Sequence, residues 1–329
     1  MTLLDYCKNV TLLDQAVAED AAIFPIANHR LPDGTLNMEG DRQVWAKATA
    51  PFLKTYLWEE GAPGFDPEKT PEQENPYLIF VPALDENEKP FEKENVNNTI
   101  IVSHGGGFSW RTGCEGFNVA HFFLHQGFNV AILAYRLIPY SRLDAMADLN
   151  RAIRILKSRK EEWHLGEKIA VMGFSAGAML SGNIATHPEE GQADAEDPIE
   201  RENTLVDAAV IGYGAFSMVS FPRPLFMPFR GSVLDGRTPE EQYYLALEKH
   251  VTPSTPPMFI WQTLSDDGRH GMTLAKALQD ANVPYELHIF TSGVHGLAMA
   301  DGHNDLGMDI PHIAHWGQLC TEWLRDLGL

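Results

Sequence analysis

The chain has 329 residues, enough to bury a full core, and its 44% hydrophobic and 21% charged residues are an ordinary balance for a globular protein. A formal charge of −20 argues against nucleic acid and against an anionic membrane as main partners, because both require a basic face. The cysteines Cys7, Cys114 and Cys320 have no paired spacing, so neither a disulfide framework nor a zinc ribbon is supported.

The first residues, Met-Thr-Leu-Leu-Asp-Tyr-Cys-Lys, lack the basic start and apolar run of a secretion signal, so cytoplasm is the expected compartment. A helical pattern around Leu12–Ala22 is followed by Pro25, Pro32 and an Asp33-Gly34 turn signal. A second helix is expected over Gln43–Trp58, interrupted at Pro51. Residues 61–76 carry Pro63, Pro67, Pro71 and Pro76 among acidic residues and read as an exposed connection. Tyr77–Val81 reads as an early strand and Asp85–Asn98 as a charged surface turn. Residues 1–97 are therefore expected to be an N-terminal extension packed on a catalytic unit of residues 98–329.

From Asn98 the pattern alternates regularly. Thr99–Ser103, Asn129–Tyr135, Ile169–Gly173, Ala208–Tyr213, Met258–Thr263 and Glu286–Phe290 are short, β-branched or aromatic strand candidates. Between them lie helical stretches at Asn118–Gln126, Leu143–Lys160, Ala178–Ala185, Pro239–Lys249, Met272–Asp280 and Ile313–Leu327. The expected fold class is α/β, a mostly parallel central sheet with helices on both faces. Ligands in such folds sit at the carboxyl ends of the strands. No apolar run approaches the roughly 20 residues that span a bilayer, so no membrane partner is expected.

At one of those carboxyl ends stands Gly173-Phe174-Ser175-Ala176-Gly177, the Gly-x-Ser-x-Gly pattern of a nucleophile elbow. A sharp strand-to-helix reversal holds the serine clear of the sheet, and glycines flank it because side chains there would collide with neighbouring backbone. The first strand of the series runs into His104-Gly105-Gly106-Gly107-Phe108. Backbone N–H groups of Gly106 or Gly107, with that of Ala176, can form an oxyanion hole. A triglycine turn alone suggests only a tight loop; its place about 70 residues before the serine makes it informative.

A serine nucleophile needs a base, and the base an orienting acid, in the chain order Ser, acid, His. Asp266 and Asp267 both follow the strand Met258–Thr263. His295, between Gly293 and Gly296, follows the last strand, whereas His288 lies inside it and His312 and His315 in a helix. The run Asp301, His303, Asp305, Asp309 and His312 has metal-ligand residue types but no recognised spacing, and reads as a hydrogen-bonded loop. No metal and no organic cofactor is expected. A proline-punctuated apolar insert with Phe216, Phe221, Phe226 and Phe229 reads as a small cap, about 216–250, packed on the core. Some of it, notably Phe216, Phe226 and Phe229, together with Trp110, is expected to line the substrate pocket.

Over residues 98–327 the chain resembles the α/β-hydrolase serine esterases, and among them the bacterial acetylxylan and feruloyl esterase-like carbohydrate esterases. The resemblance rests on His104–Phe108, Ile169–Gly177, Pro256–Thr263 followed by Asp266, and Glu286–Phe290 leading to His295-Gly-Leu297. It implies a Ser175, His295 and Asp266 triad acting on a small-molecule ester, with short acetyl or feruloyl-type acyl groups on carbohydrates or other soluble alcohols. The competing expectations are a lipase or peptidase of the same fold and a non-catalytic binding member. Against them, no propeller-sized N-terminal domain, long amphipathic lid or missing triad element is evident. The oligomeric state is left open, a homo-oligomer included.

Overall fold

The computed structural model describes residues 1–85, 89, 97–221, 236 and 238–329. One eight-stranded sheet runs in the order β1-β2-β4-β3-β5-β6-β7-β8. Its strands are β1 (Thr55–Tyr56), β2 (Tyr77–Val81), β3 (Thr99–Ser103), β4 (Asn129–Ala134), β5 (Ile169–Phe174), β6 (Ala208–Gly212), β7 (Met258–Thr263) and β8 (Tyr285–Phe290). β2 pairs antiparallel with β1 and β4, and every other pairing is parallel. All residues of β2 through β7 are buried, as continuous apolar runs covered on both faces require.

The described helices are α1 (Leu3–Tyr6), α2 (Lys8–Ala18), α3 (Met38–Thr49), α4 (Gly113–His125), α5 (Arg142–Ser158), α6 (Ala176–Thr186), α7 (Pro239–Leu245), α8 (Arg269–Asp280) and α9 (Pro311–Asp326). The strand pleat sends alternate side chains to two cores. Leu78 and Phe80 of β2 join Leu149, Ile153, Met179 and Leu274 of α5, α6 and α8 on one face. Tyr77, Ile79 and Val81 join Leu13, Trp45, Phe117 and Trp316 of α2, α3, α4 and α9 on the other. The α/β architecture matches the expectation, and β3 and β7 span the expected residues without change.

The N-terminal part follows its sequence reading only in part: the strand expected at Tyr77–Val81 is β2, while the helix expected around Leu12–Ala22 is α2, Lys8–Ala18. The helix expected over Gln43–Trp58 is α3, which begins where Asn37 accepts the N–H of Gly40 and ends at Thr49, ahead of Pro51. The chain then extends into β1. Residues 1–85 also do more than lie against the sheet: they supply β1 and β2, and β2 covers the outer edge of β4. That antiparallel cover removes an open edge from an apolar strand.

A buried ion pair is among the contacts that hold the connection of residues 61–76. Arg136 and Asp148 are both buried, and Arg136 Nη2 lies 2.8 Å from Asp148 Oδ1. The same guanidinium donates to the carbonyl of Pro63 at 2.6 Å. In the region of the expected cap, the described residues are 216–221, 236 and 238–250. Ser217 and Ser220 hydroxyls both donate to Glu248 Oε1, at 2.7 and 2.8 Å. Among the described residues no helix is long and apolar enough to cross a membrane.

Candidate active site

The chain leaves β3 toward β4 on one side and returns to β5 on the other, so the crevice between β3 and β5 is the switch point of the sheet. The His104 turn and Ser175 stand on its two sides. Ser175 follows β5 with φ 54° and ψ −116°, and α6 starts at the next residue. A Cβ on Gly173 would stand 2.0 Å from the Gly177 carbonyl oxygen, and one on Gly177 would stand 2.1 Å from that of Ser103. Only glycine fits either place, so the reversal that raises Ser175 is written in backbone contact rather than in propensity.

Ser175 Oγ lies 2.8 Å from His295 Nε2, and His295 Nδ1 lies 2.7 Å from Asp266 Oδ1. Asp266 is fully buried, and its other oxygen accepts the Thr263 N–H at 2.9 Å and the Thr263 hydroxyl at 2.8 Å. With Nδ1 donating to that carboxylate, the Nε2 lone pair faces the serine hydroxyl. Asp267 faces elsewhere. Its carboxylate accepts from Arg269 Nε at 2.6 Å and from Arg269 Nη2, and these bonds hold it below the usual carboxylate range. The two aspartates diverge because of the local backbone. Leu264–Asp266 form a 3₁₀ turn, and Asp267 is left-handed at φ 59°.

The triglycine turn is built from beneath. Gly106 has φ 102°, and its carbonyl accepts the N–H groups of Ser109 and Trp110 at 2.9 and 3.1 Å. His104 is fully buried between Tyr135, whose ring centroid is 4.4 Å away, and Trp45 of α3 at 5.1 Å. Burial pushes its imidazole down to about 3, so it is neutral and Nδ1–H donates to the Gly105 carbonyl at 2.7 Å. The N-terminal helix thus buttresses the turn. Asp41 of α3 adds a second brace by accepting the N–H of Arg111 at 3.0 Å.

Two residues of this region went unnoticed in the sequence. Glu115 is buried in the first turn of α4, where its carboxylate accepts the Gly105 N–H at 2.7 Å and the Tyr213 hydroxyl at 2.8 Å. Tyr213, just past β6, stands edge-on to His295 with centroids 5.2 Å apart. The available signal was a lone acid in the apolar stretch Gly-Cys-Glu-Gly-Phe, which implies a buried charge with a task.

Of the expected pocket residues, Trp110 is partly exposed and shares a cleft with Phe24, His29, Asn37 and Asp41. Phe216 is 1% exposed and belongs to the core cluster of α5, α6 and α8. Phe226 and Phe229 lie outside the described residues. The run from Asp301 to His312 is a fastening for the N-terminal segment. Asp305 accepts the Phe24 N–H at 3.0 Å, and His303 Nδ1 lies 2.8 Å from Asp20. The described residues that gather three groups of metal-ligand type are instead Asp14, His121 and His125. Both imidazole Nε2 atoms there approach one Asp14 oxygen, at 3.2 and 3.0 Å.

A mostly parallel sheet with a strand–serine–helix reversal at its switch point defines the α/β-hydrolase fold. Within that fold the chain belongs to the BD-FAE family, which it matches over residues 87–269. It is 29% identical over 215 residues to endo-1,4-beta-xylanase B of Butyrivibrio fibrisolvens, covering 61% of this chain and 33% of that protein. It is 31% identical over 99 residues to an acetylxylan esterase of Xylanibacter ruminicola, covering 29% of this chain and 21% of that protein. The chain therefore spans about a third and a fifth of the lengths of these two relatives. Among solved structures, the acetyl ester-xyloside bifunctional hydrolase of Caldicellulosiruptor lactoaceticus aligns with TM-score 0.72 at 29% identity, over 84% of this chain and 96% of that one. A carboxylesterase of Lactobacillus plantarum has the same fold, with TM-score 0.63 at 23% identity over 77% and 92% of the two chains.

Proposed function

We propose that the protein is a serine carboxylic ester hydrolase acting on short-chain acyl esters, with acetyl or feruloyl-type esters of carbohydrates or other soluble alcohols as its substrates. The observation that carries this reading is the hydrogen-bonded line from Ser175 Oγ through His295 to buried Asp266. Relationship to acetylxylan esterases and carboxylesterases supports the substrate class.

In this mechanism Ser175 attacks the ester carbonyl while His295 Nε2 takes its proton. The carbonyl oxygen becomes an oxyanion held by the amides of Ala176 and of Gly106 or Gly107, and one such donor lowers the barrier by about 3 kcal/mol. The tetrahedral species collapses, the leaving alcohol takes the proton from His295, and an acyl-Ser175 ester remains. Water, deprotonated by the same nitrogen, then attacks the acyl group and releases the acid. Asp266 keeps the imidazole in the productive tautomer and stabilises its cationic form. No step calls for a metal or organic cofactor.

The test is turnover of p-nitrophenyl esters from acetyl to dodecanoyl, together with release of acetate and ferulate from acylated xylan. The expected result is the highest kcat/KM at acetyl to butyryl. A preference for long chains overturns the substrate class, and turnover unaffected by a serine-directed phosphonate overturns the mechanism.

A further inference from the structure

We propose that Glu115 is a positioning residue that holds the oxyanion turn and the loop of the catalytic base in register through a single buried carboxylate. This role rests on the esterase reading above. Glu115 Oε2 accepts the Gly105 N–H at 2.7 Å, and Oε1 accepts the Tyr213 hydroxyl at 2.8 Å. The Tyr213 oxygen in turn accepts the Ala298 N–H at 3.0 Å, just beyond His295. One side chain therefore connects the turn after β3, the end of β6 and the loop after β8. The carboxylate lies directly behind the reacting groups: a Cβ on Gly105 would stand 2.3 Å from Glu115 Oε2 and 2.9 Å from the Ser175 Cβ.

The chemistry needs a carboxylate rather than an amide. Two donors, one backbone and one phenolic, point at its two oxygens. A glutamine whose carbonyl served Gly105 would turn its NH₂ toward Tyr213, leaving the phenolic hydrogen without an acceptor in a closed site. A protonated Glu115 has the same defect. The groups facing Glu115 are His295, Tyr213, Asp305, Cys114 and Tyr135. Burial pushes its carboxyl up to about 7, and a charge on His295 pulls it back toward ionisation. The coupling is mutual, so ionised Glu115 favours the imidazolium that forms when His295 takes the serine proton.

The experiment compares wild type, Glu115→Gln, Tyr213→Phe and the double variant by kcat and KM on p-nitrophenyl acetate from pH 5 to 9, with thermal melts alongside. Glu115→Gln is expected to lower kcat about 10- to 100-fold with KM within about twofold, because the loss falls on transition-state geometry rather than binding. The wild-type kcat profile should contain an ionisation near 7 that this variant lacks. The double variant should fall no further than Glu115→Gln, since both substitutions cut one linkage. Side chains that merely fill space would give losses that multiply.

Wild-type kcat in folded Glu115→Gln, or multiplying losses, overturns the role. Should Glu115→Gln not fold, unchanged kcat in folded Tyr213→Phe overturns it equally. A wild type that turns over no ester sinks the esterase reading and this role together, whereas failure of the variants alone sinks only the role.

Discussion

At the scale of single residues, the site is organised by a serine held in an unfavourable conformation. Ser175 at φ 54° is kept there by its N–H donating to the Gly212 carbonyl at 3.0 Å and by the glycines on either side. Ser175→Ala needs no new space, so the expected outcome is a normal melt with kcat reduced by at least about 10³. Near-normal turnover by the purified variant counts against the nucleophile. The adjacent aspartates separate cleanly. Asp266→Asn removes the acceptor that sets the His295 tautomer and should cost up to about 10⁴ in kcat. Asp267→Asn loses only a pair with half-exposed Arg269 and should stay within about tenfold of wild type. The reverse ranking, measured on the two variants, moves the acid by one residue. In the proposed mechanism His295 takes the serine proton only when neutral, so kcat/KM should rise with pH on the acid side; a flat profile from pH 5 to 8 speaks against it.

At the scale of elements, the N-terminal helix α3 is part of the site's support. Trp45 packs on His104 and Phe117 and donates its indole N–H to the Tyr77 hydroxyl at 2.9 Å. Trp45→Ala leaves a cavity against the triglycine turn and should destabilise the fold by about 3–5 kcal/mol in denaturant titration. It should also lower kcat, because His104 loses one wall of its slot, while Trp45→Phe retains most of both. A stability loss with kcat unchanged would show that the turn stands without α3. Sequence periodicity located β3 and β7 to the residue, because buried parallel strands are short apolar runs with sharp polar ends. It overran α3, where helix pattern continues through Trp58 but Pro51 and the pairing of Thr55 and Tyr56 with β2 decide otherwise.

At the scale of the whole molecule, residues 1–85 are integral to the sheet. Deleting residues 1–97 exposes β4 along an apolar edge and strips Leu13 and Trp45 from one core. The expected product is insoluble, and a soluble, cooperatively melting truncation would contradict this. Two buried acids each make stability fall as pH rises, while the histidines His104, His187 and His270, held down by burial, act in the opposite direction. Glu115 titrates at about 7 in the fold against an ordinary 4.5, and Asp41 at about 6 against 3.8, both raised first by burial. A raised acid contributes stability in full below its unfolded value and loses it as pH climbs through its folded value, on the order of 3 kcal/mol for Glu115. The melting temperature of wild type relative to Glu115→Gln should therefore be lower at pH 8 than at pH 5.5. Equal slopes in the two proteins would remove Glu115 from the account.

The sequence alone determined the α/β class, the strand series from Thr99 and the candidate elbow, because these are local: a strand, a glycine-bounded reversal and a helix within a dozen residues. It also narrowed the acid to Asp266 or Asp267 and singled out His295 by chain order. Resemblance favoured Asp266, but residue types alone do not show why that aspartate faces His295, since this depends on a 3₁₀ turn followed by a left-handed residue. Nor could the sequence join Trp45 to His104, Glu115 to Gly105 and Tyr213, or Asp305 to Phe24. Apart from the ten-residue step from Gly105 to Glu115, those contacts bring together segments far apart in the chain, and the packing of both sheet faces sets their distances.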